Sequence, residues 1–256
     1  MTLPVVLALV AATVILSPIL VRAMDRKAGY PIALILAAAA VVLGREFPGV
    51  ADGQPLEWEV TWARDILGEG SAVSFALRAD GLSIFFALLA LVIGTVVMTY
   101  SAAYLPKRDG NTSFYTIMTA FTLSVLLLVL ANDTVVLFIG WELVSIASFL
   151  LIARSGSGGE AGSYRTLMLT FFGGLTLLAA LAVASISTGT TRLTEVLASD
   201  VWRENPGLTT TVAILVAVSG FTKAAQFPFH FWLPEAMAAA TPVSAFLLSL
   251  IHISEP

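Results

Sequence analysis

The chain has 256 residues, of which 58% are hydrophobic and only 12% charged, with a formal net charge of -4, two histidines and no cysteine; its mean hydropathy is +0.92. That composition lies outside the soluble range, and it excludes a disulfide framework, thiolate chemistry and a cysteine-held iron–sulfur cluster. Charge spread thinly over connecting segments leaves no nucleic-acid footprint, and two histidines with scattered carboxylates form neither a metal-ligand set nor a cofactor motif.

Uncharged runs at 1–21, 81–106, 110–132, 166–191 and 205–222 are each about long enough to cross some 30 Å of hydrocarbon as a helix. Ten-residue alternating patterns are absent, so a helical bundle rather than an outer-membrane barrel is expected to satisfy the backbone in lipid. In chain order the predicted spans are 2–22, 31–47, 80–104, 112–131, 134–153, 163–187, 209–226 and a last one starting near 240, seven complete helices and one cut short. The first lacks a positive leader, carries Ser17-Pro18 inside its apolar stretch and has its basic cluster after the run, so it reads as a retained span rather than a signal peptide.

Lys and Arg set the expected orientation. Arg22, Arg26, Lys27, Lys107, Arg108, Arg154 and Arg165 fall in short connections on one side, which is taken as cytoplasmic, leaving the N-terminus outside. The 48–79 stretch, with Asp52, Glu57, Glu59, Asp65 and Glu69, reads as an external loop whose Trp58 and Trp62 sit near headgroups. The 154–162 stretch reads as a flexible cytoplasmic connector. Asp80 and Asn132-Asp133 stand at helix starts, where a short acceptor caps free N–H groups, and Gly173-Gly174 in the sixth span reads as a small-residue surface that lets a neighbouring helix close in.

Two charges interrupt this apolar pattern. Glu142 stands eight residues into the fifth span, about 12 Å along its axis, and Lys223 closes the uncharged run before it. Ionisable groups at bilayer depth cost at least a few kcal/mol each, so they persist with a partner or a task. Ser145 and Ser148 extend a polar line from Glu142 that should face the bundle interior. After Lys223 come Gln226, Pro228, His230 and Pro234, and two prolines six residues apart predict a helix broken just past the lysine, where free carbonyls can line a hydrated path. A lysine and a carboxylate so placed would titrate together, the proton occupancy of one responding to small movements of the other. A static ion pair joining two helices is the structural alternative, and His230 is either a proton relay or a hydrogen-bonded interface residue.

Trp141-Glu142-Leu143, the stretch from Thr222 to Ala245 (TKAAQFPFHFWLPEAMAAATPVSA) and Asp80-Gly81-Leu82-Ser83 together resemble the N-terminal part of the large A subunit of Mrp-type multisubunit Na⁺/H⁺ antiporters, relatives of the proton-pumping membrane subunits of NADH:quinone oxidoreductase. The resemblance runs through residues 75–247. It implies an all-α polytopic protein with an antiporter-like helical bundle, a broken seventh transmembrane helix and a core of inverted five-helix repeats, with Glu142 and Lys223 as the proton-transfer pair and Thr222, Gln226, Ser145, Ser148 and His230 as the supporting polar path. Residues 1–79 would then form two leading helices and an external loop, and 80–256 the first, incomplete repeat.

The implied activity is proton/monovalent cation antiport, with Na⁺ as the expected ion, across a bacterial cytoplasmic membrane, beside other membrane subunits and without a cofactor. Phe172-Gly173-Gly174 matches the antiporter, whereas the redox-complex relatives commonly have Gly-Asp there. The alternatives are a proton-translocating subunit of NADH:quinone oxidoreductase or a membrane-bound hydrogenase, and a purely structural scaffold. The family pattern expects a histidine at Leu248, so 248–256 (LSLIHISEP) reads as a non-native tail that truncates the protein in or near the eighth span.

Overall fold

The computed structural model describes residues 1–64, 72–106, 111–154, 157–236 and 241–251. Helices α1 (Thr2–Met24) and α2 (Gly29–Gly44) are joined by a 3-10 turn, and the short α3 (Phe47–Ala51) follows. An antiparallel hairpin of β1 (Leu56–Arg64) and β2 (Ala72–Ala79) then leads into α4 (Gly81–Tyr104). Next come α5 (Asn111–Leu130), α6 (Thr134–Ala153) and the long α7 (Ser157–Thr188). Two short helices, α8 (Leu193–Ala198) and α9 (Val201–Glu204), precede α10 (Pro206–Lys223), α11 (Trp232–Ala236) and α12 (Thr241–Ile251). Asp65, Glu69, Lys107, Arg108 and the 252–256 part of the expected tail lie outside the described residues.

Among the described residues, five stretches are long and apolar enough to cross a membrane: Thr2–Gly44, which holds α1 and α2, together with α4, α5, α6 and the Ser163–Thr188 part of α7. Helix α10 is 18 residues long but is diluted by Thr209, Thr210, Thr211 and Lys223. The chain is therefore a helical, multi-pass membrane protein, as its composition implies.

Two expectations need correction. The 48–79 stretch is a helical turn plus a hairpin rather than a plain loop, because Trp58 and Val60 alternate with Glu57, Glu59 and Thr61 in the period of a half-buried strand. Trp58 packs edge-on against Phe75 across the two strands at 6.0 Å, while the side chain of Trp62 lies outside the described residues. The 154–162 connector is also shorter than read, since α7 begins at Ser157.

Lipid is as apolar as leucine, so helices associate in a membrane through close packing and interhelical hydrogen bonds rather than a hydrophobic drive. Helix α1 packs on α5 and α2, α2 on α4, α5 on α6, α6 on α7, and α7 on α10. Gly140 on α6 meets the backbone of Leu128 on α5, where a side chain would not fit. Most buried hydroxyls bond back to their own helix, as Thr119 Oγ1 does to the Tyr115 carbonyl at 2.8 Å. Ser17 and Thr116 also bridge α1 and α5 at 2.8 Å. Pro18 sits inside α1 without an N–H for the Val14 carbonyl, and Ser17 Oγ donates to that carbonyl at 3.0 Å, which lets the helix run on.

Hydrogen bonds stitch one end of the bundle together. Asn132 N–H donates to the Ala76 carbonyl of the hairpin at 2.9 Å, and Leu193 N–H donates to the Asn132 carbonyl at 3.0 Å. Arg192 pairs with Glu59 of β1. Asp133 caps α6 by accepting from the N–H groups of Val135 (2.8 Å) and Val136 (3.3 Å), and its second oxygen accepts from Thr191 Oγ1 at 2.6 Å. Asp80 caps α4 likewise, and the Ser83 N–H bond holds its carboxyl below the usual aspartate range. Asp133→Ala removes a cap and a charge-assisted bond at once, and is expected to cost about 2 kcal/mol. Thermal unfolding in detergent checks this against Asp200→Ala, whose exposed contact with Arg203 at 3.9 Å should contribute almost nothing.

Candidate functional site

Helix α7 is the shared wall of the site, with α6 packed on one side and α10 on the other. Glu142 lies mid-way along α6, and Lys223 is the last residue of α10. The last helical bond of α10 runs from Ala224 N–H to the Gly220 carbonyl at 2.8 Å. Ala225 then turns into the left-handed region at φ 51°, and Gln226 N–H closes on the Phe221 carbonyl at 3.0 Å. Pro228, which is exposed, has no N–H to return to the Ala224 carbonyl, so a regular helix could not have continued. Pro234, also exposed, falls in the first turn of α11, where a missing N–H costs nothing. Trp232 Nε1 donates to the Thr222 carbonyl at 2.9 Å and ties α11 back onto the end of α10.

The lysine reaches across to α6. Its amine donates to Ser145 Oγ at 2.7 Å and to the Trp141 carbonyl at 3.2 Å, and it lies 5.0 Å from the centre of the Trp141 ring. Ser145 Oγ in turn donates to the Trp141 carbonyl at 3.1 Å. The amine is thus held by residues on either side of Glu142 in sequence, one of them a helical turn away. Among the described residues no ion pair within 4.0 Å joins Lys223 to Glu142, although each lies within electrostatic reach of the other. The half-buried Glu142 turns toward α7, and its buried Oε1 has no hydrogen-bond partner among the described residues.

The supporting residues divide. Thr222 is buried, donates to the Ser219 carbonyl at 2.7 Å, and rests on Gly173. Ser148 donates to the Val144 carbonyl at 2.7 Å. Ser148 and Gln226 join Lys223 and Trp141 in lining a cavity of about 780 Å³ whose other walls are mostly aromatic and aliphatic. His230 stands apart from the lysine: its ring stacks on Phe231 at 4.4 Å, and its buried Nδ1 has no partner among the described residues. Nor does any hydrogen bond among those residues link it to the pair.

Two contributors escape the sequence reading, and the role of the glycine pair is read there only in part. Trp141 supplies both a carbonyl and a ring face to the amine, a role foreshadowed only by its place beside Glu142. Ser219 is fully buried with its hydroxyl unpartnered among the described residues, one turn before Lys223. Gly173 and Gly174 face the two polar chains directly, which small-residue packing alone did not specify.

The chain matches two family descriptions, "NADH:quinone oxidoreductase/Mrp antiporter, TM" over residues 131–254 and "NADH-Ubiquinone oxidoreductase (complex I), chain 5 N-terminus" over residues 67–115. It is 38% identical over 248 residues to a Staphylococcus aureus protein named "Putative antiporter subunit mnhA2", a match covering 94% of this chain and 30% of the relative. Among solved structures, a chain of the Mrp complex from Dietzia sp. DQ12-45-1b superposes with a TM-score of 0.89 at 42% identity, covering 96% of this chain and 26% of that one. A chain of an archaeal membrane-bound sulfane sulfur reductase shares the fold, with a TM-score of 0.75 at 20% identity, covering 94% of this chain and 49% of that one. The chain thus spans less than a third of the length of the antiporter relatives it matches. The matched segments on either side of residue 120 and the likeness along nearly the whole chain agree: this protein belongs to the NADH:quinone oxidoreductase/Mrp antiporter family of membrane subunits.

Proposed function

We propose that the complete protein exchanges protons for a monovalent cation, with Na⁺ as the expected ion, across a bacterial cytoplasmic membrane, as one of several membrane subunits and with its N-terminus outside. The observation that carries this reading is the Lys223 amine, held by Ser145 Oγ and the Trp141 carbonyl around Glu142 in the wall of a cavity. The likeness to antiporter subunits supports the direction of use.

In this reading a proton enters through the cavity and is carried on the Lys223 amine. Ser145 fixes that amine to the turn of α6 that bears Glu142, so its proton occupancy follows the charge and position of the carboxylate. Thr222, Gln226 and Ser148 supply the hydroxyl and amide groups that orient water along the path, and His230 is its furthest member. Moving one charge through 100 mV is worth about 2.3 kcal/mol, so the proton step and the cation step must be tightly coupled. Residues 1–79 would brace the core formed from residue 80 onward.

The runner-up reading, which the family descriptions name beside the antiporter, is a proton-translocating subunit driven by redox chemistry elsewhere. Proteoliposomes holding the complete complex, given an imposed pH gradient and no electron donor, separate the two. Antiport predicts collapse of the gradient on adding Na⁺, and loss of that response in Glu142→Gln. No cation response without a donor, together with proton movement on adding NADH and quinone, would establish the redox-driven alternative.

A further inference from the structure

We infer that Gly174 of α7 is a positioning residue, a seat that holds the Glu142 carboxyl beside the Lys223 end of α10 in space that a side chain at this position of the chain would fill. The inference rests on the proton-path reading of Glu142 and goes beyond it by assigning a residue on a third helix to the pair.

The geometry is specific. A methyl group at Gly174 would overlap Glu142 Oε1 and stand 2.9 Å from its Cδ. The carboxyl therefore occupies the space of a missing side chain, with the hydrogen that Gly174 carries in place of Cβ pointing at Oε1. Contacts of that kind recur where helices approach closely and contribute modestly. No conventional donor among the described residues meets Oε1, so the shape of the α7 backbone, rather than a hydrogen bond, decides where the carboxyl lies.

The neighbouring Gly173 does the same for α10. A methyl group there would overlap Thr222 Oγ1 and stand 2.9 Å from Thr222 Cβ. One glycine pair thus receives the acid-bearing chain of α6 and the residue immediately before Lys223 on α10. Both helices pack on α7, so the spacing between acid and amine is measured off one short piece of backbone. Gly207 and Gly220, both on α10, differ: a side chain at either would meet open space.

The test uses the assembled complex. A carbodiimide that couples to membrane-buried carboxyl groups is applied, and modification of Glu142 is followed by peptide mass spectrometry beside Na⁺-driven exchange. Gly174→Ala should change the labelling rate of Glu142 by about threefold or more and lower exchange, because the carboxyl can no longer lie on α7; Gly207→Ala should alter neither. Shortening the acid by one methylene relieves the overlap, so Gly174→Ala should do far less harm in a Glu142→Asp background than in the parent. Labelling of Glu142 in Gly174→Ala at the parental rate would overturn the seat. So would equal losses of exchange in the parent and Glu142→Asp backgrounds. If Gly174→Ala fails to assemble, Gly174→Ala with Glu142→Asp must assemble, and its failure would count against the seat. Altered labelling in Gly174→Ala alongside undiminished exchange in Glu142→Gln would keep the seat and sink the proton-path reading.

Discussion

Lys223→Ala is expected to reduce Na⁺-driven proton exchange by roughly 100-fold or more, the scale on which losing a positioned proton-transfer group is felt. The amine has three kinds of contact on α6: a hydroxyl, a carbonyl and an aromatic face. Alanine leaves all three and offers no group that can carry the proton between them. Ser145 keeps its own bond to the Trp141 carbonyl, and Thr222 its bond to the Ser219 carbonyl, so the helices should still assemble. Native gel migration of the complex separates lost transport from lost assembly. Intact complex with flat exchange traces is the expected pair of results.

Gly29→Ala is expected to destabilise the bundle by about 1 to 3 kcal/mol, the range for overpacking a site that cannot move aside. Gly29 opens α2 where α4 and α5 converge. A methyl group there would overlap the Met98 carbonyl oxygen and lie 2.7 Å from the Tyr115 hydroxyl and 3.0 Å from Ala102 Cβ. Tyr115 is fully buried, and its hydroxyl donates to the Arg26 carbonyl at 2.7 Å. Relief by rotating the tyrosine would therefore leave polar groups unpaired at the end of α1. Nearby, Asn111 Nδ2 donates to Asp25 Oδ1 at 2.7 Å and Arg26 Nη1 to the Leu105 carbonyl at 3.2 Å, so the strain has a network to disturb. A thermal shift followed by size-exclusion chromatography in detergent measures it, with Gly44→Ala as the comparison. There the nearest contact is an ordinary 3.7 Å to Leu88.

The membrane helices were legible because each carries its own signal: uncharged length, a capping aspartate at Asp80 and Asp133, and proline beyond Lys223. The hairpin was less so. Its alternation is visible only around Glu57 to Thr61, and its inner face is settled by contacts distant in sequence, such as the Leu77–Ala131 bridge. The same division runs through the site. Glu142 and Lys223 stand out as charges in apolar surroundings, a local property of the chain. That the amine bonds to Ser145 and the Trp141 carbonyl, while the carboxyl turns to Gly174, depends on how three helices pack, which no window of sequence contains. Gly173-Gly174 shows the limit most plainly: the pair announced close approach, and only the packed helices reveal that side-chain oxygens, rather than another backbone, do the approaching.

Whether Glu142 and Lys223 act as one unit is measured most directly by a double-mutant cycle with mild replacements. Exchange rates are compared for the parent complex, Glu142→Asp, Lys223→Arg and the double variant, each assembled in proteoliposomes under the same pH gradient. Residues acting together lose function non-additively, so the double variant should retain clearly more exchange than the product of the two single losses. A double variant whose exchange equals that product would mean that the two charges work independently, and would contradict the coupled pair.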